Sequence, residues 1–306
     1  MTDVTVRPAT PEDHDAVTAF TQDTWSERDV DDYIPDVDPE WVAGDGDDQR
    51  TLLAGVDGSA AGICQAVLLS EYEGWLQGMR VNPEFRGRGV GLALVDELLS
   101  WCREGGASVA RNMVFSWNDG GLGQSRAAGF DPGIEGRWAH PEPDPEADID
   151  PALTLVEDPD AAWGCWMRSD ARDVLGGLGL HPEEAWALWE VGHERLHALA
   201  DDRRVLAVQD ERGTQAMAAR VRVDERETET GVEEHAIYGP SAWADLDAAR
   251  ALFDAIAADA AAIGADATRV LIPETPRHVS DVAAARADAS DEPIFVLEAD
   301  LTGERW

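Results

Sequence analysis

The stretch Arg86-Gly87-Arg88-Gly89-Val90-Gly91 decides the fold of this 306-residue chain. It follows a strand-like run at residues 75–81 and precedes a segment, residues 92–101, whose apolar periodicity predicts an amphipathic helix. A glycine-rich turn between a strand and a helix presents backbone N–H groups to an anion at the helix N-terminus. The glycines allow close backbone approach, and the arginines add charge-assisted hydrogen bonds to phosphate. The sequence therefore predicts a diphosphate-binding loop.

Two common phosphate-binding loops are excluded by the spacing of the glycines. A dinucleotide fingerprint needs G-x-G-x-x-G, whereas this loop reads G-x-G-x-G. A Walker A loop needs G-K-[ST], and this loop has neither the lysine nor the hydroxyl. The loop instead resembles the [RQ]-x-x-G-x-[GA] loop of the GNAT family of N-acetyltransferases, which holds the pyrophosphate of acetyl-coenzyme A.

The resemblance to this family extends beyond the loop, over the first half of the chain. Val81-x-Pro83-x-x-Arg86 matches the usual lead from strand to loop. Asn118 follows a predicted buried strand at residues 109–115, and Gly129-Phe130 comes eleven and twelve residues after that asparagine, as in the family pattern. Residues 4–13 resemble the first strand and the start of the first helix.

The resemblance to this family implies an α/β fold with a mixed sheet, the GNAT-like acyl-CoA N-acyltransferase fold. In that fold the fourth strand splays from the fifth, and the pantetheine arm of the co-substrate lies in the gap. The implied function is direct transfer of the acetyl group of acetyl-CoA to an amine acceptor in a ternary complex, without a metal. The implied cofactor-binding positions are two backbone positions of strand four, the loop, and the asparagine: Met79, Val81, Arg86, Gly87, Arg88, Gly89, Val90, Gly91 and Asn118.

Two catalytic candidates follow from the same resemblance. Many family members carry a tyrosine seven residues after the asparagine, and it protonates the departing thiolate; this chain has Ser125, whose hydroxyl is shorter and a far weaker acid. The family often places a carboxylate just before strand four, where this chain has Glu71 and Glu73, and we predict Glu73 as the general base. The weak proton donor leaves an alternative open, a non-catalytic sensor or assembly module that binds CoA or acetyl-CoA.

The second half of the chain repeats the pattern of the first with a period of about 155 residues, the size of a domain. The strand and Asp-Gly turn at residues 52–58 have a counterpart at residues 205–213. Opposite the glycine loop stands Ala244-Asp245-Leu246-Asp247-Ala248-Ala249, which has lost the glycines and arginines and places two carboxylates where a phosphate would sit. We therefore predict a cofactor-binding domain at 1–157 and a degenerate GNAT-like domain without cofactor at 158–306. The alternative is an unrelated α+β domain.

The composition predicts a cytoplasmic protein from a salt-accumulating halophile. The chain has 62 acidic and 24 basic residues, a net charge of −38, and no lysine. Such a surface repels nucleic acid in dilute buffer, and concentrated salt screens its self-repulsion. Neither a signal peptide nor a membrane span is predicted. The cysteines, Cys64, Cys102 and Cys165, are expected to be core residues in a reducing compartment.

A second motif, His193-Glu194-Arg195-Leu196-His197, has the H-E-x-x-H spacing that places two histidines on one face of a helix. A catalytic zinc needs a third protein ligand, and the sequence around the motif offers none. We therefore expect surface histidines and no metal. The acceptor, a small-molecule or peptide amine, and the oligomeric state are not specified by the sequence.

Overall fold

The computed structural model describes residues 4–22, 24, 32–147, 150, 152–201, 205–228 and 231–303. The chain divides into two compact units. Unit 1 comprises Met1–Val114, Asn118–Pro132 and Val296–Trp306, and unit 2 comprises Phe115–Trp117 and Gly133–Phe295. No helix in these described ranges is long and apolar enough to cross a membrane.

Unit 1 is built on a mixed sheet with the strand order β1-β2-β3-β4-β5. The first four strands pair antiparallel, and β4 pairs parallel with β5. Its elements are β1 (Val4–Pro8), α1 (His14–Thr21), α2 (Ile34–Gly44), β2 (Gln49–Val56), β3 (Ser59–Leu68), β4 (Glu73–Val81), α3 (Val90–Glu104), β5 (Val109–Phe115) and α4 (Asp119–Ala127). The predicted strands at 75–81 and 109–115 and the helix after the glycine loop are therefore confirmed.

Local sequence accounts for the elements that position the loop. Asp57 and Gly58 have φ angles of 53° and 84°, the left-handed pair that a tight hairpin between β2 and β3 needs. Helix α3 buries its apolar face, including Leu94, Leu98 and Cys102. Burial raises the pKa of the Cys102 thiol to about 12, and the three cysteines are free and buried, as predicted.

In unit 2 the strands follow the order β6-β13-β12-β11-β10-β7, and β8 and β9 form a separate hairpin. The elements are β6 (Asp131–His140), β7 (Thr154–Val156), α5 (Pro159–Arg168), α6 (Asp170–Val174), β8 (Leu178–Leu180), β9 (Leu188–Glu190), α7 (His193–Ala200), β10 (Val205–Asp210), β11 (Gly213–Thr228), β12 (Gly231–Trp243), α8 (Leu246–Ala262), β13 (Ala267–Pro273), α9 (Pro276–Ala284) and β14 (Asp288–Ala289). The last strand, β15 (Ile294–Asp300), belongs to unit 1 from Val296 onward. The series β10-β11-β12-α8-β13-α9 repeats the series β2-β3-β4-α3-β5-α4, and β12 pairs parallel with β13 as β4 does with β5. The predicted repeat is thus visible in the order of elements.

The division of the chain differs from the predicted boundary between residues 157 and 158. Residues 133–157 belong to unit 2, where β6 pairs antiparallel with β13. The end of the chain belongs to unit 1, where Leu301 N donates to Ser108 O at 2.9 Å. The reason is that strand pairing, rather than proximity along the chain, determines which unit a segment joins.

Candidate active site

The glycine loop has the backbone conformation that its sequence predicts. Strand β4 ends at Val81, and a one-turn 3-10 helix, Pro83–Phe85, leads into the loop. Gly87 and Gly89 have φ angles of 75° and 86°, in the left-handed region that only glycine occupies at little cost. Helix α3 begins directly after Gly89. Four residues separate the 3-10 helix from α3, and the two glycines among them turn the chain into the helix.

The N-terminus of α3 is open to an anion. Gly89 is its N-cap residue and supplies no side-chain cap, so the N–H groups of the first turn have no side-chain acceptor from that position. A Cβ at Gly87 or Gly89 would have no atom within 4 Å, which shows free space beside the loop. At Gly91, by contrast, a Cβ would lie 2.7 Å from the amide of Gln124. This glycine therefore allows α4 to pack against the start of α3.

Arg86 and Arg88 are exposed on either side of Gly87. Within the described part of the chain neither guanidinium forms an ion pair with a carboxylate, although the chain carries 62 acidic residues. Arg88 lies over the ring of Phe85, with its guanidinium carbon 5.3 Å from the ring centroid. Positive charge that is left unpaired beside an open helix N-terminus favours binding of a phosphate group.

Strands β4 and β5 separate, as the family resemblance predicts. They pair only from Glu73 to Trp75 with Val109 to Arg111. Further along β4, Gly78 has a φ of 64°, and the register with β3 shifts between Ile63 and Gln65. Such a bulge bends a strand. The predicted positions Met79 and Val81 lie on the part of β4 beyond its pairing with β5, and so flank the opening.

Asn118 begins α4 directly after β5. Its Oδ1 accepts a hydrogen bond from Gly121 N at 2.9 Å and so caps the helix. This contact fixes the side chain at the start of α4 and leaves the amide nitrogen as the group with which Asn118 could contact a ligand.

Ser125 is buried on α4, and its hydroxyl accepts from Asn112 Nδ2 at 2.9 Å. The structure adds Asn112 and Gln124 to the candidate residues. Among the described residues, Asn112 Oδ1 and Gln124 Nε2 are buried without a hydrogen-bond partner. Buried polar groups are normally satisfied, so these two point to a ligand or water on this side of the opening. An asparagine within a strand that the sequence predicts to be buried was the signal for Asn112, whereas Gln124 had no such signal.

Glu73 is fully buried at the beginning of β4, the end remote from the glycine loop. Its Oε1 accepts from Arg111 Nη1 at 3.0 Å and its Oε2 accepts from Ser70 Oγ at 2.9 Å. Arg111 also approaches Glu298 Oε2, at 3.5 Å from its Nε. The predicted general base is therefore held in a buried ion pair, whereas Glu71 is exposed.

In unit 2 the helix that corresponds to α3 is α8, and a side-chain cap occupies its N-terminus. Asp245 is the N-cap residue of α8, and its Oδ1 accepts from Ala248 N at 3.0 Å. Asp247 in the first turn pairs with Arg250 at 3.2 Å. The Asp245 cap thus occupies the N–H group that an anion would need.

Residues 14–122 match the model of the acetyltransferase (GNAT) family. No curated protein sequence matches the chain.

Three solved structures resemble the whole chain. A GCN5-related N-acetyltransferase from Sphaerobacter thermophilus is 14% identical, with 97% of this chain and 96% of that chain covered and a TM-score of 0.62. A tandem GNAT protein from the clavulanic acid biosynthesis pathway is 13% identical, with 99% and 100% covered and a TM-score of 0.55. A GCN5-related N-acetyltransferase from Anabaena variabilis is 12% identical, with 98% and 73% covered and a TM-score of 0.51. The chain therefore has the mixed α/β GNAT fold, and its residues 14–122 are similar to the acetyltransferase (GNAT) family.

Proposed function

We propose that unit 1 is an N-acetyltransferase that uses acetyl-CoA as co-substrate and passes the acetyl group directly to an amine acceptor in a ternary complex. The observation that carries this proposal is the open N-terminus of α3 behind Gly87 and Gly89, next to the separation of β4 from β5. Both features lie within unit 1.

The residues present fit acetyl-CoA. The N–H groups of residues 86–91 and the guanidinium groups of Arg86 and Arg88 would hold the diphosphate. The backbones of Met79 and Val81 and the amide of Asn118 would hold the pantetheine arm. When bound, acetyl-CoA supplies an acetyl thioester activated toward an amine. The backbone N–H groups of β4 would orient and polarise its carbonyl, since hydrogen-bond donors stabilise charge that develops on an acyl oxygen.

A second candidate function is supported by the state of the two predicted catalytic residues. Glu73 has both carboxylate oxygens hydrogen-bonded, and Ser125 is buried with its hydroxyl bonded to Asn112. Neither group stands ready to exchange a proton with a substrate. This observation favours a module that binds CoA or acetyl-CoA without turnover. If unit 1 is an enzyme, solvent water would transfer the protons in place of these two side chains.

Two measurements in molar salt distinguish the candidates. Calorimetry measures binding of CoA and acetyl-CoA, and a thiol assay measures CoA release with polyamines, amino acids, amino-containing antibiotics and peptides. We expect binding together with thiol release that at least one amine stimulates. Binding without release for any acceptor supports the module, and absence of binding would refute both functions.

The same proposal assigns one acetyl-CoA to each chain, since the N-terminus of α8 carries its own aspartate cap. Unit 2 is then a degenerate GNAT-like domain that keeps the fold without the cofactor. The acidic, lysine-free composition supports our proposal that the protein works in the cytoplasm of a halophile.

A further inference from the structure

The structure places a third candidate ligand, from another helix, beside the two histidines of the H-E-x-x-H motif. His193 and His197 lie four residues apart on α7, and Asp160 lies in the first turn of α5. Asp160 Oδ1 is 2.7 Å from His193 Nε2 and 3.0 Å from His197 Nε2. The three ligand atoms all lie within 4.8 Å of one another. All three residues belong to unit 2.

From this convergence we propose that Asp160, His193 and His197 bind a divalent transition-metal ion of the Zn²⁺ class. Two imidazoles and one carboxylate are a donor set typical of zinc, and three protein ligands leave a fourth position for water. Hard cations such as Mg²⁺ prefer oxygen ligands alone, so the two imidazole nitrogens select against them.

The hydrogen bonds of the metal-free cluster are consistent with this role. A carboxylate oxygen only accepts, so both Nε2 atoms carry a proton that a metal would replace, and the neutral rings would then carry their protons on Nδ1. Bonds of about 2.0–2.1 Å in a tetrahedral arrangement separate ligand atoms by roughly 3.3 Å, so the pairs need to open by only a few tenths of an ångström. The side chains are exposed enough to allow this movement, since the exposed fraction is 71% for Asp160, 47% for His193 and 42% for His197.

Neighbouring residues at the start of α5 orient the side chains of this cluster. Asp158 caps α5 and accepts from the backbone N–H of Asp160 at 3.0 Å, which fixes the turn that carries the carboxylate. Trp163, one turn further along α5, makes an edge contact with the His193 ring, with centroids 5.9 Å apart. Helices α5 and α7 pack on each other, so a metal bound by all three residues would join them and stabilise unit 2.

Metal binding is tested with chelator-treated full-length protein in molar salt and excess Mg²⁺, which occupies unspecific carboxylate sites. Calorimetry with Zn²⁺ should give one site per chain, and the thermal midpoint should rise with Zn²⁺. Co²⁺ should show the strong visible bands of a four-coordinate complex. In His193→Gln, His197→Gln and Asp160→Asn the Zn²⁺ affinity should fall by at least roughly tenfold, since even outer-shell changes cost that much.

Two controls separate this site from other acidic and histidine side chains. Glu194→Gln changes the motif without removing a ligand and should leave binding intact. His14→Gln removes the imidazole of a His–Asp pair with a similar distance, 3.0 Å, and should also leave it intact. Since the cluster is exposed, the metal-free melting points of the variants should stay near that of the parent protein. Failure of the parent protein to bind Zn²⁺ under these conditions, or equal binding by all variants, would overturn the proposal.

Discussion

Gly58 and Gly89 have nearly the same backbone conformation in two different places. Their φ angles are 84° and 86°, and a Cβ at either position would meet no atom within 4 Å. Gly58 lies in the β2–β3 hairpin turn and Gly89 at the start of α3. A substitution therefore has the same backbone cost at both, on the order of 1–2 kcal/mol. Any difference in acetyl-CoA affinity between substitutions at the two positions therefore reports on contacts with the ligand.

We predict that Gly89→Asp abolishes acetyl-CoA binding, because a side chain and a negative charge enter the diphosphate site, whereas Gly58→Asp leaves the affinity unchanged. Gly91→Asp should also abolish binding, and Arg86→Ala should weaken it by about 1–3 kcal/mol. Calorimetry in molar salt measures these affinities, and thermal melts confirm that each variant is folded. Unchanged affinity in Gly89→Asp would refute the site.

For Glu73 we predict a loss of stability. Glu73→Gln removes the buried carboxylate of the Arg111 ion pair and leaves the more exposed Glu298 beside the guanidinium, and breaking a buried ion pair costs about 3–5 kcal/mol. Adding Arg111→Met should recover part of that loss, because the buried guanidinium charge is removed as well. Urea unfolding measures the free energies. Turnover by folded Glu73→Gln at the parental kcat would exclude Glu73 as general base, and loss of kcat without loss of stability would contradict the structural role.

Helices α3 and α8 show how the N-cap residue decides whether the N-terminus of a helix can accept an anion. Both follow a strand that pairs parallel with the next strand of its sheet, and both pack an apolar face on that sheet. Gly89 leaves the N-terminus of α3 without a side-chain cap, whereas Asp245 caps that of α8. The cap stabilises the helix and excludes an anion by the same hydrogen bond.

We predict that Asp245→Ala lowers the free energy of unfolding by about 0.5–2 kcal/mol, the range for loss of an N-cap. The stoichiometry should remain one coenzyme A per chain, because the glycine loop is still missing from unit 2. Asp247→Ala, which removes a carboxylate that is not the cap, is the control and should change stability less. A stoichiometry of two in the parent protein would show that unit 2 binds cofactor.

At the scale of the whole molecule, the last strand completes the first unit. Val296, Leu297 and Leu301 are buried, and burial of such side chains contributes roughly 1.5–3 kcal/mol each. That sum is comparable to the total stability of a domain, about 5–15 kcal/mol. Unit 1 is therefore not a continuous N-terminal segment.

A chain that ends at Glu292 should lose cooperative unfolding of unit 1 and bind acetyl-CoA more weakly, although the glycine loop is intact. A chain that ends at Gly303 keeps β15 and is the control. Calorimetric melts and titrations compare the two. Parental affinity in the shorter chain would mean that residues 1–132 form the binding site by themselves.

We also predict that the protein loses cooperative folding as salt is lowered. The Debye length grows from roughly 3 Å at 1 M to about 10 Å at 0.1 M, so the 38 excess negative charges repel over a longer range. Circular dichroism melts from molar KCl to dilute buffer measure the effect. Sucrose does not screen charge and should restore less stability than KCl. A melting temperature that stays constant across this range would contradict the halophile interpretation.

The sequence by itself determined the loop, the elements around it and their repetition, because these depend on neighbours along the chain: left-handed glycines, apolar periodicity and caps. Only the tertiary structure decided which distant groups meet. It paired Glu73 with Arg111, brought Asp160 to histidines 33 and 37 residues further on, and placed the last strand in unit 1. Such contacts arise from strand pairing and helix packing between segments far apart in sequence, which no local preference encodes.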